Sequence, residues 1–99
     1  MSKMARRYFV IGRVRGVGFR YWTAGRAKHY GLVGWVRNRR DGRVEVLAYG
    51  EAEALGNLER ELQDGPPAAL VQGVEPAPVT PEEAGLAARA TRFEQAATL

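Results

Sequence analysis

The chain has 99 residues, of which 45% are hydrophobic and 26% charged, which is typical of one soluble globular domain covering residues 1–99. It has no cysteine and a single histidine, which excludes disulfide scaffolds, thiol nucleophiles, zinc–thiolate centres and histidine-rich metal sites. The net charge of +4 is uneven, because residues 1–50 hold 12 basic and 2 acidic side chains whereas residues 51–99 hold 3 and 9, and the basic half indicates an anionic partner.

Hydrophobic periodicity predicts the order β-α-β-β-α-β. The predicted strands cover residues 8–14, 32–38, 43–49 and 70–75, and the predicted helices cover residues 19–30 and 51–64. Gly31 is predicted to cap the first helix, and Asp41-Gly42 is typical of a hairpin turn. This order predicts an α+β, ferredoxin-like sandwich with an antiparallel sheet and two helices on one face.

The last quarter of the chain carries a weaker pattern. Prolines at positions 76, 78 and 81 indicate a loop, and the alanine-rich stretch from residue 82 to residue 90 is ambiguous. Residues 91–94 allow a short fifth strand. No apolar run approaches the roughly 18 residues of a membrane span, and the N-terminus lacks a signal-like apolar stretch, so we expect a cytoplasmic protein with no membrane partner.

The connection between the first strand and the first helix has the composition of an anion site. It reads Arg15-Gly16-Val17-Gly18, and Arg20 follows in the first helical turn. Glycines at this spacing let successive backbone N–H groups line one concavity, and a helix N-terminus adds unpaired N–H groups. The same Gly-x-Gly pattern also occurs in turns with no ligand, so a structural turn and a phosphate site both remain open.

Two nucleotide-binding motifs are excluded, and a third, the RNA-recognition octamer, matches this segment better. Gly18-Phe19-Arg20 lacks the Gly-Lys-Ser/Thr ending of a Walker A loop, and Tyr21 stands where a dinucleotide fingerprint needs its third glycine. The octamer from Arg15 to Trp22 resembles the RNA-recognition octamer. However, that octamer belongs on a third strand, and here it spans a loop and a helix. A non-catalytic module that binds phosphate backbones is the alternative function.

Two longer blocks carry a family resemblance. The segment from Gly12 to Arg20, GRVRGVGFR, resembles the acylphosphatase signature, and the segment from Gly31 to Asn38, followed by Asp41-Gly42, resembles its second block. The segment Gly65-Pro66-Pro67-Ala68 is similar to its later half. Arg15 stands where glutamine is usual, and Gln95 stands where the family usually has an apolar residue, two positions after Phe93.

The resemblance implies a ferredoxin-like fold and the hydrolysis of acyl phosphates to a carboxylate and inorganic phosphate. It implies Arg20 as phosphate ligand and Asn38 as the residue that orients the attacking water. The phosphate-binding loop would comprise Arg15, Gly16, Val17, Gly18 and Phe19. Inorganic phosphate would be product and competitive ligand. No metal, cofactor or nucleic acid is expected, and we expect a monomer.

Overall fold

The computed structural model describes residues 2–99. The chain forms five strands and three helices. The strands are β1 (Lys3–Arg13), β2 (Val33–Asn38), β3 (Val44–Glu51), β4 (Leu70–Ala77) and β5 (Phe93–Gln95), and the helices are α1 (Phe19–His29), α2 (Ala52–Leu62) and α3 (Pro81–Arg89). The predicted β-α-β-β-α-β order is therefore confirmed, and α3 and β5 occupy the last quarter, where the sequence pattern is weak.

All five strands join one sheet in the order β4-β1-β3-β2-β5. β3 pairs antiparallel with β1 on one side and with β2 on the other, and β4 pairs antiparallel with β1. The ferredoxin-like prediction is confirmed with one correction: β5 runs parallel to β2, so the sheet is mixed. The correction arises because the chain crosses the sheet between its two edges through α3 and then runs in the direction opposite to β4.

The main core lies between the sheet and the helices α1 and α2. Alternation along the strands turns Tyr8 and Val10 of β1 and Val46 of β3 toward these helices, and all three are fully buried. α2 contributes a leucine stripe at helical spacing that is also fully buried: Leu55, Leu58 and Leu62. Helix α1 ends as predicted around Gly31, since the backbone N–H of Leu32 donates to the Ala27 carbonyl at 2.9 Å in a Schellman-type arrangement.

A buried ion cluster lies on the face of the sheet opposite to α1 and α2. Glu45 on β3 is 1% exposed, and its carboxylate accepts hydrogen bonds from the Nε atoms of Arg7 and Arg37, each at 2.7 Å, and from Nη1 of Arg39 at 3.2 Å. Arg7 also donates to Glu83 of α3, which places α3 over this face. Arg37 and Arg39, which flank the predicted hairpin turn, are therefore paired with a buried carboxylate on the neighbouring strand.

The ion cluster shifts the pKa values of both carboxylates downward. Burial alone would raise the pKa of Glu45, but hydrogen bonds from Arg37 and Arg7 outweigh it and hold that pKa below its ordinary value. The hydrogen bond from Arg7, helped by the backbone N–H of Thr80, lowers the pKa of Glu83 to about 2. Ionised carboxylates therefore favour the folded state.

We expect the fold to lose stability in acid, in part through Glu83. Its folded pKa of about 2 lies below the ordinary value of 4.5, so its contribution is complete above pH 4.5 and disappears as the pH falls toward 2. Glu83→Gln should be less stable than the unchanged protein at pH 7, and the difference should shrink to nothing near pH 2. Thermal unfolding followed by circular dichroism across this range measures it.

Glu82→Gln is the matched control, because Glu82 is an exposed neighbour in the same helical turn and makes no ion pair with any residue from 2 to 99. It should change the pH dependence of unfolding much less than Glu83→Gln does. A stability difference for Glu83→Gln that stays constant from pH 7 to pH 2 would contradict the role assigned to the ionised carboxylate.

Candidate functional site

The loop between β1 and α1 has a backbone that only glycine adopts easily. Gly16 has φ of 70° and Gly18 has φ of 75°, whereas Val17 between them keeps a negative φ. A Cβ built on either glycine meets nothing within 4 Å, so the left-handed conformation, and not crowding, is what favours glycine there. Alternating handedness of this kind curves a backbone into an anion-binding nest.

Helix α1 opens directly from this loop. Its first hydrogen bond runs from the N–H of Trp22 to the Gly18 carbonyl at 2.9 Å. The N–H groups of the preceding turn therefore have no helical acceptor, and the positive end of the helix dipole lies beside the loop. Loop and helix together offer backbone donors to an anion.

A pocket of about 140 Å³ lies at this point, and it contains most of the predicted site residues. The carboxyl ends of β1 and β2 meet at one edge of the sheet because both strands are antiparallel to β3. This topology brings Asn38, the last residue of β2, to the loop that follows β1. The pocket is lined by Val14, Arg15, Gly16, Gly18, Phe19, Arg20, Tyr21, Asn38 and Gln95.

Arg20 and Asn38 both face this pocket without internal partners. Neither side chain makes a hydrogen bond or an ion pair with any residue from 2 to 99. Asn38 is nevertheless held through its backbone, since its carbonyl accepts from the N–H of Leu99 at 3.1 Å. A guanidinium and a carboxamide are thus left available to a ligand.

Three other predicted residues take distinct positions. Val17 does not line the pocket, and its side chain packs against the core. Phe19 is 1% exposed and forms part of the pocket wall from within the core. The guanidinium of Arg15 donates to the backbone carbonyl of Arg39, which ties the loop to the segment just after Asn38.

Sequence reasoning missed three residues of the pocket wall: Val14, Tyr21 and Gln95. Gln95, at the end of β5, lines the pocket although the chain there was too weakly patterned to place. The only signal was the polar residue at a position where the family is usually apolar. Tyr21 belongs to no motif that marks it as a site residue, yet it lines the pocket and is 77% exposed.

The octamer that resembles an RNA-recognition motif does not lie on the sheet. Its residues form the loop and the start of α1, and Phe19 and Trp22 pack against each other with ring centroids 5.6 Å apart. The stacking rings of an RNA-recognition domain lie on a sheet surface, which this placement does not provide.

Within residues 2–99, no three histidine or acidic side chains are grouped to hold a metal ion. None of the helices in this range is long and apolar enough to cross a bilayer.

Comparison with known proteins gives one consistent family. Residues 6–94 match the family profile described as Acylphosphatase. An acylphosphatase of Nitrobacter hamburgensis is 43% identical over 99 residues, which is all of both chains. An acylphosphatase structure from Coxiella burnetii superposes with a TM-score of 0.83 at 30% identity, over 95% of this chain and 93% of that one. One from Bacillus subtilis has a TM-score of 0.78 at 36% identity, over 94% and 98%.

Proposed function

This chain belongs to the acylphosphatase family, which hydrolyses acyl phosphates, and we propose that Arg20 and the loop bind the phosphoryl group while Asn38 orients the attacking water. The observation that supports these roles is the convergence of Arg20, Asn38 and the loop from Arg15 to Phe19, apart from Val17, on one small pocket. Both side chains are free of internal hydrogen bonds within residues 2–99, as groups that receive a ligand should be.

The phosphoryl oxygens would be held by two kinds of donor. Backbone N–H groups of the loop and of the first turn of α1 contribute without any side-chain reorganisation. The guanidinium of Arg20 adds charge-assisted hydrogen bonds, which are stronger than neutral ones. The transition state of phosphoryl transfer spreads charge over these same oxygens. The donors lower the barrier to the extent that they bind this charge distribution more strongly than that of the ground state.

The water would be held on the other side of the phosphorus atom. The side-chain oxygen of Asn38 accepts a hydrogen bond from the water and directs its lone pair in line with the scissile bond. The bond from the water oxygen to phosphorus forms as the bond from phosphorus to the acyl oxygen breaks. The electron pair leaves with the carboxylate, and the proton of the water passes to a phosphoryl oxygen.

This reaction suits a pocket with few titratable groups. A carboxylate is a weakly basic leaving group, so no general acid has to protonate it. His29, the single histidine, is exposed near the end of α1 and remote from the loop that precedes this helix. Positioning and electrostatic stabilisation therefore account for catalysis, and no step of the scheme uses a metal ion.

One copy of the chain supplies every group in this scheme, which supports the prediction of a monomer. Arg20, Asn38 and the loop lie on elements of a single sheet and helix pair. Sedimentation or gel filtration of the active protein would test the oligomeric state. The cytoplasmic location stays a prediction from the sequence.

Arg20→Gln should remove both turnover and phosphate binding. The substitution keeps hydrogen-bonding atoms but loses the charge, so kcat/KM for benzoyl phosphate should fall about 10²–10³-fold, and inhibition by inorganic phosphate should disappear from the accessible range. Assays run with a chelator also test metal independence. Arg89→Gln, a change at an exposed arginine on α3, is the control and should leave both kcat/KM and inhibition by phosphate unchanged. Normal phosphate inhibition of Arg20→Gln would remove Arg20 from its role.

Asn38→Ala should separate binding from chemistry. With the water no longer oriented, kcat should fall by a factor on the order of 10² or more, whereas the inhibition constant of inorganic phosphate should change less than twofold. Asn57→Ala, at a partly exposed asparagine of α2, is the matched control. If Asn38→Ala hydrolyses benzoyl phosphate at a near-normal rate, the water is positioned by another group.

Arg15 is predicted to bind the phosphate in addition to tying the loop to Arg39. Its bond to the Arg39 carbonyl uses one of five N–H donors, which leaves others for a phosphoryl oxygen. Arg15→Ala should therefore weaken inhibition by phosphate about fivefold, the effect of one exposed charge-assisted contact of about 1 kcal/mol. An unchanged inhibition constant together with a lower kcat would show that Arg15 acts only through Arg39.

A further inference from the structure

A second, larger groove begins where the phosphate pocket ends. It has a volume of about 500 Å³, against about 140 Å³ for the pocket, and runs along α1 beside β5. Its walls include Tyr21, Trp22, Gly25, Lys28 and Gln95. We call these five residues the acyl groove. Nothing described so far uses this space.

The two cavities share two wall residues. Tyr21 and Gln95 line both the phosphate pocket and the acyl groove, so the two spaces are adjacent. A substrate whose phosphoryl group lies in the pocket must place its acyl group outside it, since the pocket is small. The shared wall gives that acyl group a direct path into the groove.

The wall of the groove includes aromatic side chains that can contact a flat apolar group. Tyr21 is 77% exposed, so most of its ring is available. Gly25 lies mid-helix one turn later, and a Cβ built on it meets nothing within 4 Å, so no packing contact explains this glycine. Glycine in a helix interior costs about 1 kcal/mol relative to alanine, and here it keeps the groove floor free of side chains.

The unpaired charge of the groove wall lies away from the phosphate pocket, at Lys28. The Arg26 guanidinium beside it is already paired with Glu61, with Nε 2.5 Å from Oε1. Lys28, two turns along the helix from Tyr21, is the one cation of the groove wall without an acidic partner among residues 2–99. The part of the groove next to the pocket is therefore aromatic and neutral.

We propose that the acyl groove binds the acyl group of the substrate and gives the enzyme a preference for aromatic acyl phosphates over small aliphatic ones. This proposal rests on the proposed function, because the phosphoryl group must lie in the pocket next to Arg20. Tyr21 contacts the acyl group through its exposed ring. The Gln95 side chain, which makes no hydrogen bond with residues 2–99, offers an amide N–H to the acyl carbonyl.

The test compares benzoyl phosphate with acetyl phosphate in each variant. The ratio of their kcat/KM values cancels any change that is common to both substrates. Tyr21→Ala should lower this ratio about fivefold, because an aromatic pair contributes about 1 kcal/mol beyond simple burial, whereas Tyr21→Phe should keep the ratio. The exposed site and the high helix propensity of alanine keep the variant folded.

Gly25→Leu tests the groove without touching a wall residue of the phosphate pocket. The Cβ of the new side chain meets nothing within 4 Å and leucine improves helix propensity, while the rest of the side chain occupies part of the groove. The benzoyl-to-acetyl ratio should fall about fivefold or more, and inhibition by inorganic phosphate should be unchanged. Gly56→Leu, at a glycine of α2 that also has open space, is the matched control and should leave the ratio unchanged.

The results separate this proposal from the proposed function. If Tyr21→Ala and Gly25→Leu hydrolyse both substrates with the ratio of the unchanged enzyme, the acyl groove has no role and the proposal is overturned, while the roles of Arg20 and Asn38 stand. If Arg20→Gln remains active and sensitive to phosphate, the proposed phosphate site is wrong whatever the ratio shows. A fall in the ratio that appears equally in Gly56→Leu would also overturn the proposal.

Discussion

The antiparallel pairing of β3 with both β1 and β2 is the constraint on which this site depends. It makes β1 and β2 run in the same direction with one strand between them, so their carboxyl ends share an edge at a separation of roughly 10 Å. The loop after β1 and Asn38 at the end of β2 can then face a single small ligand. The residues of the candidate site therefore lie in a short loop and at the ends of regular elements.

The direction of the Asn38 side chain depends on the ion cluster on the opposite face of the sheet, which α3 covers. Arg37 and Arg39, on either side of Asn38, both donate to the buried carboxylate of Glu45. Because neighbouring strand residues point to opposite faces, holding these two arginines on the α3 face leaves Asn38 directed toward α1. The ion cluster therefore supports the position of the Asn38 side chain.

Much of the fold and of the pocket was predictable from the sequence because local patterns determine them. The strand and helix periods gave the element order, and the glycines at positions 16 and 18 marked a backbone that turns left-handed. Residues placed by tertiary contacts were not predictable. The neutralisation of Arg37 and Arg39 needs a carboxylate that lies on a neighbouring strand, and only the register reveals it.

Gln95 illustrates the same limit at the other edge of the sheet. It reaches the pocket because a three-residue strand pairs parallel with β2, and so short a strand leaves almost no periodic signal. Helix α3 was ambiguous for a related reason. Its start is set by a capping box between Thr80 and Glu83, while its apolar face is mostly alanine and contributes little to a hydrophobic pattern.

The backbone pairing of Leu99 with Asn38 and Arg40 has a practical consequence for handling the protein. Because Asn38 lines the pocket, a bulky tag fused after Leu99 would lie close to the proposed substrate site. Lys3, in contrast, pairs with Glu51 at the far end of the sheet. Purification handles, fluorophores and surface tethers are therefore best attached at the amino end, which leaves the edge of the sheet that carries the pocket accessible to solvent.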